Sequence, residues 1–568
     1  MKTNLLRGLI RNLSAGGLFT AVALISPGLS AEVQVPAIFG DHMVLQEGIK
    51  LPIWGTAQPG EAVTVTVDKE TSVAKADSDG KWQVELPPIP ENQNPVTVTV
   101  AGHNTLTFHD VLIGDVWLCS GQSNMQFNLG GAKGTFGGVH NADTVVPQAS
   151  DPQLRLFIVS QKLAMDPATN VGGSWKVCTP ESASLFSGVG YFFGRDLRKS
   201  LNRPIGLIGS YWGGTPAQGW TSLSGLGKDP ELHEFVDTAA KIRAQFPQAT
   251  ADYPAKQAAY ATTLATWKKE IGDPYTQALQ SWSKASSAAT AAGQPAPPKP
   301  ELSQPMPHAP PSPDGGPGAP SNLYNGMIAP LQPFGIKGVI WYQGESNASQ
   351  PIVYRTLFSR LIKDWREKWG EGDLPFLFVQ LAAYKGGDVQ NWPFLREAQL
   401  MTLALPNTGM ASAVDIGDSQ NIHPKDKEDV GHRLAAAAYH VAYGKDLVYS
   451  GPIFNSMKVA GNVATISFTQ TGSGLTIGAA PWTAAGAKPL PTDKLIGFAI
   501  CGTDQNWVPA DAKIDGTTVT VSNAAVPAPV AVRYDWANAP EGNLYNKENL
   551  PASPFRTDDW PVPVPAKK

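Results

Sequence analysis

Two side chains in this sequence, Ser123 and His423, have the types and settings that acyl transfer requires. Ser123 belongs to the stretch Asp115–Phe127, DVWLCSGQSNMQF. Its apolar run Val116–Cys119 reads as a buried strand, and Gly121-Gln122-Ser123-Asn124 reads as a polar turn. A serine just past the carboxyl end of such a strand has rigid neighbours and a hydroxyl that faces a crevice. Gly121 lets the backbone turn where a side chain would clash. The same turn also reads as a helix N-cap supplied by Ser123 or Asn124, so the stretch alone leaves nucleophile and cap both open. A serine hydroxyl needs a base, and imidazole titrates near neutrality. Of nine histidines, only His423 lies in a loop after a core strand with aspartates just before it; its other reading is a surface-loop histidine. Asp415 and Asp418 are the nearby carboxylates that could hold the second ring nitrogen, and at least one of them also reads as a loop cap. An oxyanion would need donors. The Ser123 N–H, an N–H of Gly213 or Gly214, and the Gln343 side-chain amide would serve. The glycine pair reads equally as a plain turn.

These residues share a position relative to the elements around them. From Val111 onward, apolar runs alternate with helical stretches. Strands are expected at Val116–Cys119, Ile205–Ile208, Gly338–Tyr342, Pro375–Leu381 and Gly409–Val414. Helices are expected at Leu185–Leu201, Tyr354–Trp369, Leu395–Leu405 and about Lys425–Tyr443. Such alternation calls for a parallel sheet with helices on both faces, in which the ends of the strands open on one crevice. Ser123, Gly213-Gly214, Gln343 with Glu345, and Asp415, Asp418 and His423 each follow a strand end. One crevice would then hold a serine, a histidine, carboxylates and N–H donors, the parts of an acyl-transfer site.

The remaining chain divides by pattern. Residues 32–110 alternate apolar and polar in short runs such as Ala62–Val67, Lys81–Leu86 and Val96–Val100, separated by Pro59-Gly60 and Ser78-Asp79-Gly80. This reads as an N-terminal β-sandwich. Residues 111–225 and 321–446 read as the two parts of the domain that carries this parallel sheet. Between them, residues 226–320 are an insertion, Ala-rich with helical spacing and then dense in Pro and Gly over 295–320, which reads as an extended linker or lid. Residues 447–568 return to β patterning as a C-terminal β module. Residues 1–31 read as a signal peptide: Lys2, Arg7 and Arg11 precede an apolar core at Ala15–Ser26 that is too short to span a bilayer, with small residues at Gly28–Ala31. The expected location is therefore exported, periplasmic or secreted.

With 568 residues, 42% hydrophobic and 16% charged, the chain has the size for several domains. A formal net charge of −4 gives no reason to expect nucleic acid or an anionic membrane as partner. Three cysteines, Cys119, Cys178 and Cys501, leave at least one unpaired within the chain. Cys119, inside the strand before Ser123, reads as packing. Neither a CxxC nor an HExxH motif occurs, so no zinc signature is present. No metal or organic cofactor is implied.

Four motifs in order, GQSNM at 121–125, SYWGGTPAQGW at 210–220, WYQGESNA at 341–348 and DIGDSQNIHPKDK at 415–427, resemble the sialate O-acetylesterase family of the SGNH hydrolases, which is similar to carbohydrate acetyl-esterases acting on plant polysaccharides. The resemblance continues in PVAVRYDWANAPEGNLYN from Pro529 and LPASPFRTDDW from Leu550, and it leaves out the insertion. It implies an α/β fold with an SGNH-type, flavodoxin-like parallel sheet, helices on both faces and β-sandwich modules. It implies a serine esterase with Ser123 as nucleophile, His423 as base, and a glycine of Gly213-Gly214 with Gln343 as oxyanion donors. The substrate class it implies is an acetylated carbohydrate, such as acetylated sialic acid, xylan or xyloglucan. The sequence departs from the SGNH pattern three residues before the histidine. Gln420 occupies the usual aspartate position and Asn421 follows it, and neither can carry charge. The acid is then Asp418, nearest on the same loop, with Asp415 and Glu345 as alternatives, or it is absent. Two rivals are a lipase or thioesterase on the same fold, and a non-catalytic glycan-binding protein using the β modules.

Overall fold

The computed structural model describes residues 32–132, 134–386, 391–478 and 493–561; the expected signal peptide lies outside them. A central sheet is built from β1 (Thr105–Gly121), β2 (Asp151–Ile158), β3 (Trp175–Cys178), β4 (Ile205–Tyr211), β5 (Gly338–Tyr342), β6 (Phe376–Gln380) and β7 (Thr408–Ser412). Their order across the sheet is β7-β6-β5-β1-β4-β2-β3. All neighbours are parallel except β3, which pairs antiparallel with β2 at the edge.

Helices α1 (Gly188–Leu201), α2 (His233–Trp267), α3 (Asp273–Ala291), α4 (Pro351–Trp369), α5 (Trp392–Met401) and α6 (Glu428–Val441) follow in chain order. Side-chain alternation along the strands decides which of them cover which face. Trp117 on β1 packs edge-on to Phe193 of α1, with ring centroids 5.0 Å apart. Trp341 on β5 points to the other face, where it meets Phe358 and Trp365 of α4 at 6.3 and 5.7 Å. α1 and α6 pack together on the first face, α4 and α5 on the second. The structure is thus an α/β fold with helices on both faces of a sheet that is parallel at its centre.

β1 is 17 residues long and runs through the expected boundary at 110/111. Its first half pairs antiparallel with Asn92–Ala101 in the N-terminal β module, and its second half lies between β4 and β5. The handover is a bulge at Asp110, which has φ +55. A bulge bends and re-aims a strand, and a short polar residue tolerates the left-handed conformation. Asp110 is pinned there by Arg155 at 2.8 and 3.1 Å and by the His42 ring at 2.6 Å. One apolar core extends from Val63 and Val65 of the N-terminal module through Leu118 and Ile340 of the central sheet.

β2 and β3 were not foreseen from sequence. Arg155 interrupts the apolar run of β2, and its ion pair with Asp110, with further bonds to the carbonyls of Pro152, His42 and Asp110, makes that position compatible with burial. Within the insertion, α2 and α3 form a helical pair joined at Lys268–Gly272, with no residue of either helix fully buried. The Pro-rich return leg is tied back to this pair: Trp267 Nε1 donates to the Gln304 carbonyl at 3.0 Å and Trp282 Nε1 to the Pro297 carbonyl at 2.8 Å.

The C-terminal module has two four-stranded antiparallel sheets around its own core of Ile466, Ile500, Val519 and Tyr534. It is locked to the central domain by Arg396, fully buried, whose guanidinium donates to the carbonyls of Ala537 and Asn538 at 2.8 and 2.9 Å. All three cysteines are free and buried, and burial pushes the Cys178 thiol up to about 12. No helix among the described residues is long and apolar enough to cross a membrane.

Candidate active site

Ser123 opens a single helical turn, Ser123–Gln126, directly after β1. The turn exists because Gly121 takes φ +136 and lies so close to β5 that a Cβ would come within 2.2 Å of the Tyr342 carbonyl oxygen. The Gln122 N–H donates to that same oxygen at 3.0 Å, and the Gln122 side chain accepts from the Ser346 N–H at 3.2 Å. The serine is therefore fixed to two strands at once.

His423, some three hundred positions later in the chain, meets it. Its Nε2 stands 2.9 Å from Ser123 Oγ. The ring is steadied by Phe136, with centroids 4.9 Å apart, and the backbone N–H of His423 donates to Asn421 Oδ1 at 3.0 Å, which fixes the loop that carries the ring. Burial, followed by the nearby Lys427 charge, lowers its pKa below the usual 6.5. The imidazole is then neutral at neutral pH, as a base must be.

The structure does not bring the expected carboxylates to the second ring nitrogen. Asp418 turns its carboxylate to the Gln420 N–H at 2.9 Å and shapes the loop as an Asx-turn. Asp415 is clasped by Arg433 at 2.6 and 2.8 Å and accepts from the Tyr545 hydroxyl at 3.0 Å, which ties the strand end to the C-terminal module. Glu345 lies partly buried below the serine turn and accepts from Asn124 Nδ2 at 2.6 Å; desolvation of its carboxylate raises its pKa. Among the described residues no carboxylate lies within hydrogen-bonding reach of His423.

The candidate oxyanion donors also have distinct settings. Gly213 sits against the serine, where an added Cβ would lie 3.3 Å from Ser123 Cβ, and its N–H donates to Gln126 Oε1 at 2.7 Å. Gly214 is exposed with φ +74, and no hydrogen bond engages its N–H among the described residues. Gln343 is fully buried; its amide donates to the Thr215 carbonyl at 3.2 Å and to Asn347 Oδ1 at 2.7 Å, and its Oε1 accepts from the Tyr354 hydroxyl at 3.0 Å. Ser123, at the first helical position, has an N–H without an intrahelical acceptor.

Such a pair beside unengaged N–H donors can transfer an acyl group. Comparison with known proteins bears on which one. The sequence model described as "Carbohydrate esterase, sialic acid-specific acetylesterase" matches residues 113–250 and 315–440. Sialate O-acetylesterase of Mus musculus is 30% identical over 95% of this chain and 98% of its own length. This chain belongs to the sialate O-acetylesterase family of carbohydrate esterases. The human sialate O-acetylesterase is 28% identical over 94% of this chain and 97% of its own length. A solved carbohydrate acetylesterase from Xanthomonas citri is 36% identical, covers 93% of this chain and all of its own, and superposes with a TM-score of 0.71. The family resemblance read from the four motifs is thus borne out.

Four residues of this esterase's site escaped the sequence reading. Gln126, Asn124, Phe136 and Lys427 all touch the Ser123–His423 pair or its supports. Asn124 and Lys427 lie inside quoted motifs. A lysine four places after a loop histidine reads as solvated, and nothing in its spacing reports that it is fully buried.

Proposed function

We propose that this carbohydrate O-acetylesterase is exported and removes O-acetyl groups from a carbohydrate through an acetyl-serine intermediate. The observation that carries this reading is the 2.9 Å contact between His423 Nε2 and Ser123 Oγ at the carboxyl end of the central sheet. His423 takes the hydroxyl proton as Oγ bonds to the acetyl carbon. The carbonyl electrons move to an oxyanion, which the N–H groups of Ser123 and Gly214 receive; Gly213 and Gln343 hold the wall beside it through their own bonds. Collapse of the tetrahedral intermediate breaks the bond to the sugar oxygen, which leaves with the proton carried by His423. Water then enters and gives a proton to His423 as its oxygen bonds to the acetyl carbon; collapse breaks the bond to Ser123 Oγ, which takes that proton from His423, and acetate leaves.

The fold is read as the SGNH type. The leader pattern of residues 1–31 supports a periplasmic or secreted location. The relatives' names support acetylated sialic acid, and the plant-polysaccharide side of the family resemblance supports xylan or xyloglucan. Acetate release from a panel of these acetylated glycans, with Ser123→Ala as control, decides among them. Turnover by a folded Ser123→Ala enzyme would remove the mechanism.

A further inference from the structure

Among the described residues no carboxylate reaches the imidazole of the catalytic pair, yet its loop is held from beneath. Asn124, the residue after the nucleophile, is 1% exposed, and every polar atom of its side chain is engaged. Its Oδ1 accepts from Lys427 Nζ at 2.6 Å. Its Nδ2 donates to Glu345 Oε1 at 2.6 Å and to the Ile422 carbonyl at 3.0 Å. The amide orientation follows from chemistry: an ammonium or amine hydrogen can only be donated to the oxygen, and a carbonyl can only accept from the nitrogen. Ile422 immediately precedes His423. Lys427 has no exposed surface, and its Nζ lies 4.9 and 5.5 Å from the rings of Phe127 and Tyr342.

We propose that Lys427, Asn124 and Glu345 are positioning residues that hold the base where no described carboxylate reaches it. Lys427 and Glu345 lock the Asn124 amide from opposite ends, and the amide holds the Ile422 carbonyl, so that His423 is presented to Ser123 Oγ at bonding distance. The nucleophile's own neighbour thereby fixes the base. This inference rests on the reading of Ser123 and His423 as the catalytic pair.

The charges acting on Lys427 are those of Glu345 and Asp426; burial outweighs them and pushes it down to about 7. His423 feels burial and then Lys427, so any positive charge on Lys427 lowers the pH at which His423 takes its proton. Loss of that charge moves the titration in any case, so the readout that separates positioning from a structural role is kcat falling at unchanged KM.

The test uses the full chain with p-nitrophenyl acetate and compares Lys427→Met and Asn124→Asp with the unaltered enzyme. In the second, a carboxylate oxygen would face the Ile422 carbonyl and Glu345. We expect kcat to fall about 10²-fold in each, the scale for a catalytic group displaced by about 1 Å, with KM little changed. We also expect the acid limb of kcat/KM to move to higher pH in both, because one loses a positive neighbour and the other gains a negative one. Asn124→Asp is isosteric and decides the matter if Lys427→Met does not fold. Unaltered kcat in a folded variant overturns the proposal, as does a fall in kcat with an unmoved acid limb. If Ser123→Ala retains turnover, the underlying catalytic reading falls instead.

Discussion

Replacing Asp415 with asparagine separates a structural carboxylate from a catalytic one. Asp415 and Arg433 are an ion pair with side chains 3% and 5% exposed. The guanidinium reaches the carboxylate through two bonds, at 2.6 and 2.8 Å, and also donates to the Ser412 carbonyl. Tyr545 of the C-terminal module adds a third bond to the same carboxylate. Guanidinium is too basic to lose its proton in a protein, so Arg433 stays charged when its partner is gone. Breaking a buried pair from one side costs about 3–5 kcal/mol, because a desolvated charge is left without its counter-ion. Asparagine keeps one oxygen and can still accept, so we place the cost near the lower end, about 3 kcal/mol. With a urea slope of about 3 kcal/mol per molar for a chain of this size, the unfolding midpoint falls by about 1 M. The assay is urea unfolding followed by circular dichroism, with kcat on p-nitrophenyl acetate measured in native buffer. The expected result is a large loss of stability with kcat within a few-fold of the parent. A kcat reduced by decades at unchanged midpoint would refute the reasoning and make Asp415 the acid of a triad.

Asp418→Asn should reduce kcat by less than tenfold, since the carboxylate caps a turn and orients no imidazole; a loss of several decades, the scale of a lost triad member, would show that it moves to His423 during turnover. The pH profile should show an acid limb below 6.5, the ordinary histidine value, because burial favours the neutral ring and keeps its lone pair available to lower pH; a limb above 6.5 contradicts this. Replacing residues 234–312 by a short Gly/Ser linker should spare hydrolysis of small esters and impair polymer deacetylation, because α2 and α3 bury little while their root at Leu226 and Leu232 belongs to the core and is retained. Equal loss on both substrates would assign the insertion a structural role.

Much of the fold was legible because its signals are local. The apolar runs at 116–119, 205–208 and 338–342 fall on strands of the central sheet, and those at 375–381 and 409–414 overlap its last two strands. Strand ends then placed Ser123 and His423 in one crevice, since an open parallel sheet brings them there whatever the distance in sequence. What remained hidden depends on pairing across the chain. Arg155 disguised β2 until Asp110 was seen beside it. Nearness in sequence favours Asp418 over Asp415 as the partner of His423, and only their bonds to the Gln420 N–H and to Arg433 show what each carboxylate engages. Gln343 has the chemistry of an oxyanion donor, but the commitment of both its amide hydrogens to Thr215 and Asn347 is a fact of packing. Lys427 is the extreme case, a residue type that signals solvent and lies fully buried.

The most direct test of the central claim is to trap the intermediate. The enzyme is mixed with p-nitrophenyl acetate, quenched in acid within the first turnovers, and its peptides are mapped by mass spectrometry. The account predicts an acetyl group on Ser123 that forms and decays at rates compatible with kcat, and no adduct there in Ser123→Ala. Turnover with no acetyl group on Ser123 at any quench time, together with a Ser123→Ala enzyme that hydrolyses the ester at the parental rate, would contradict it.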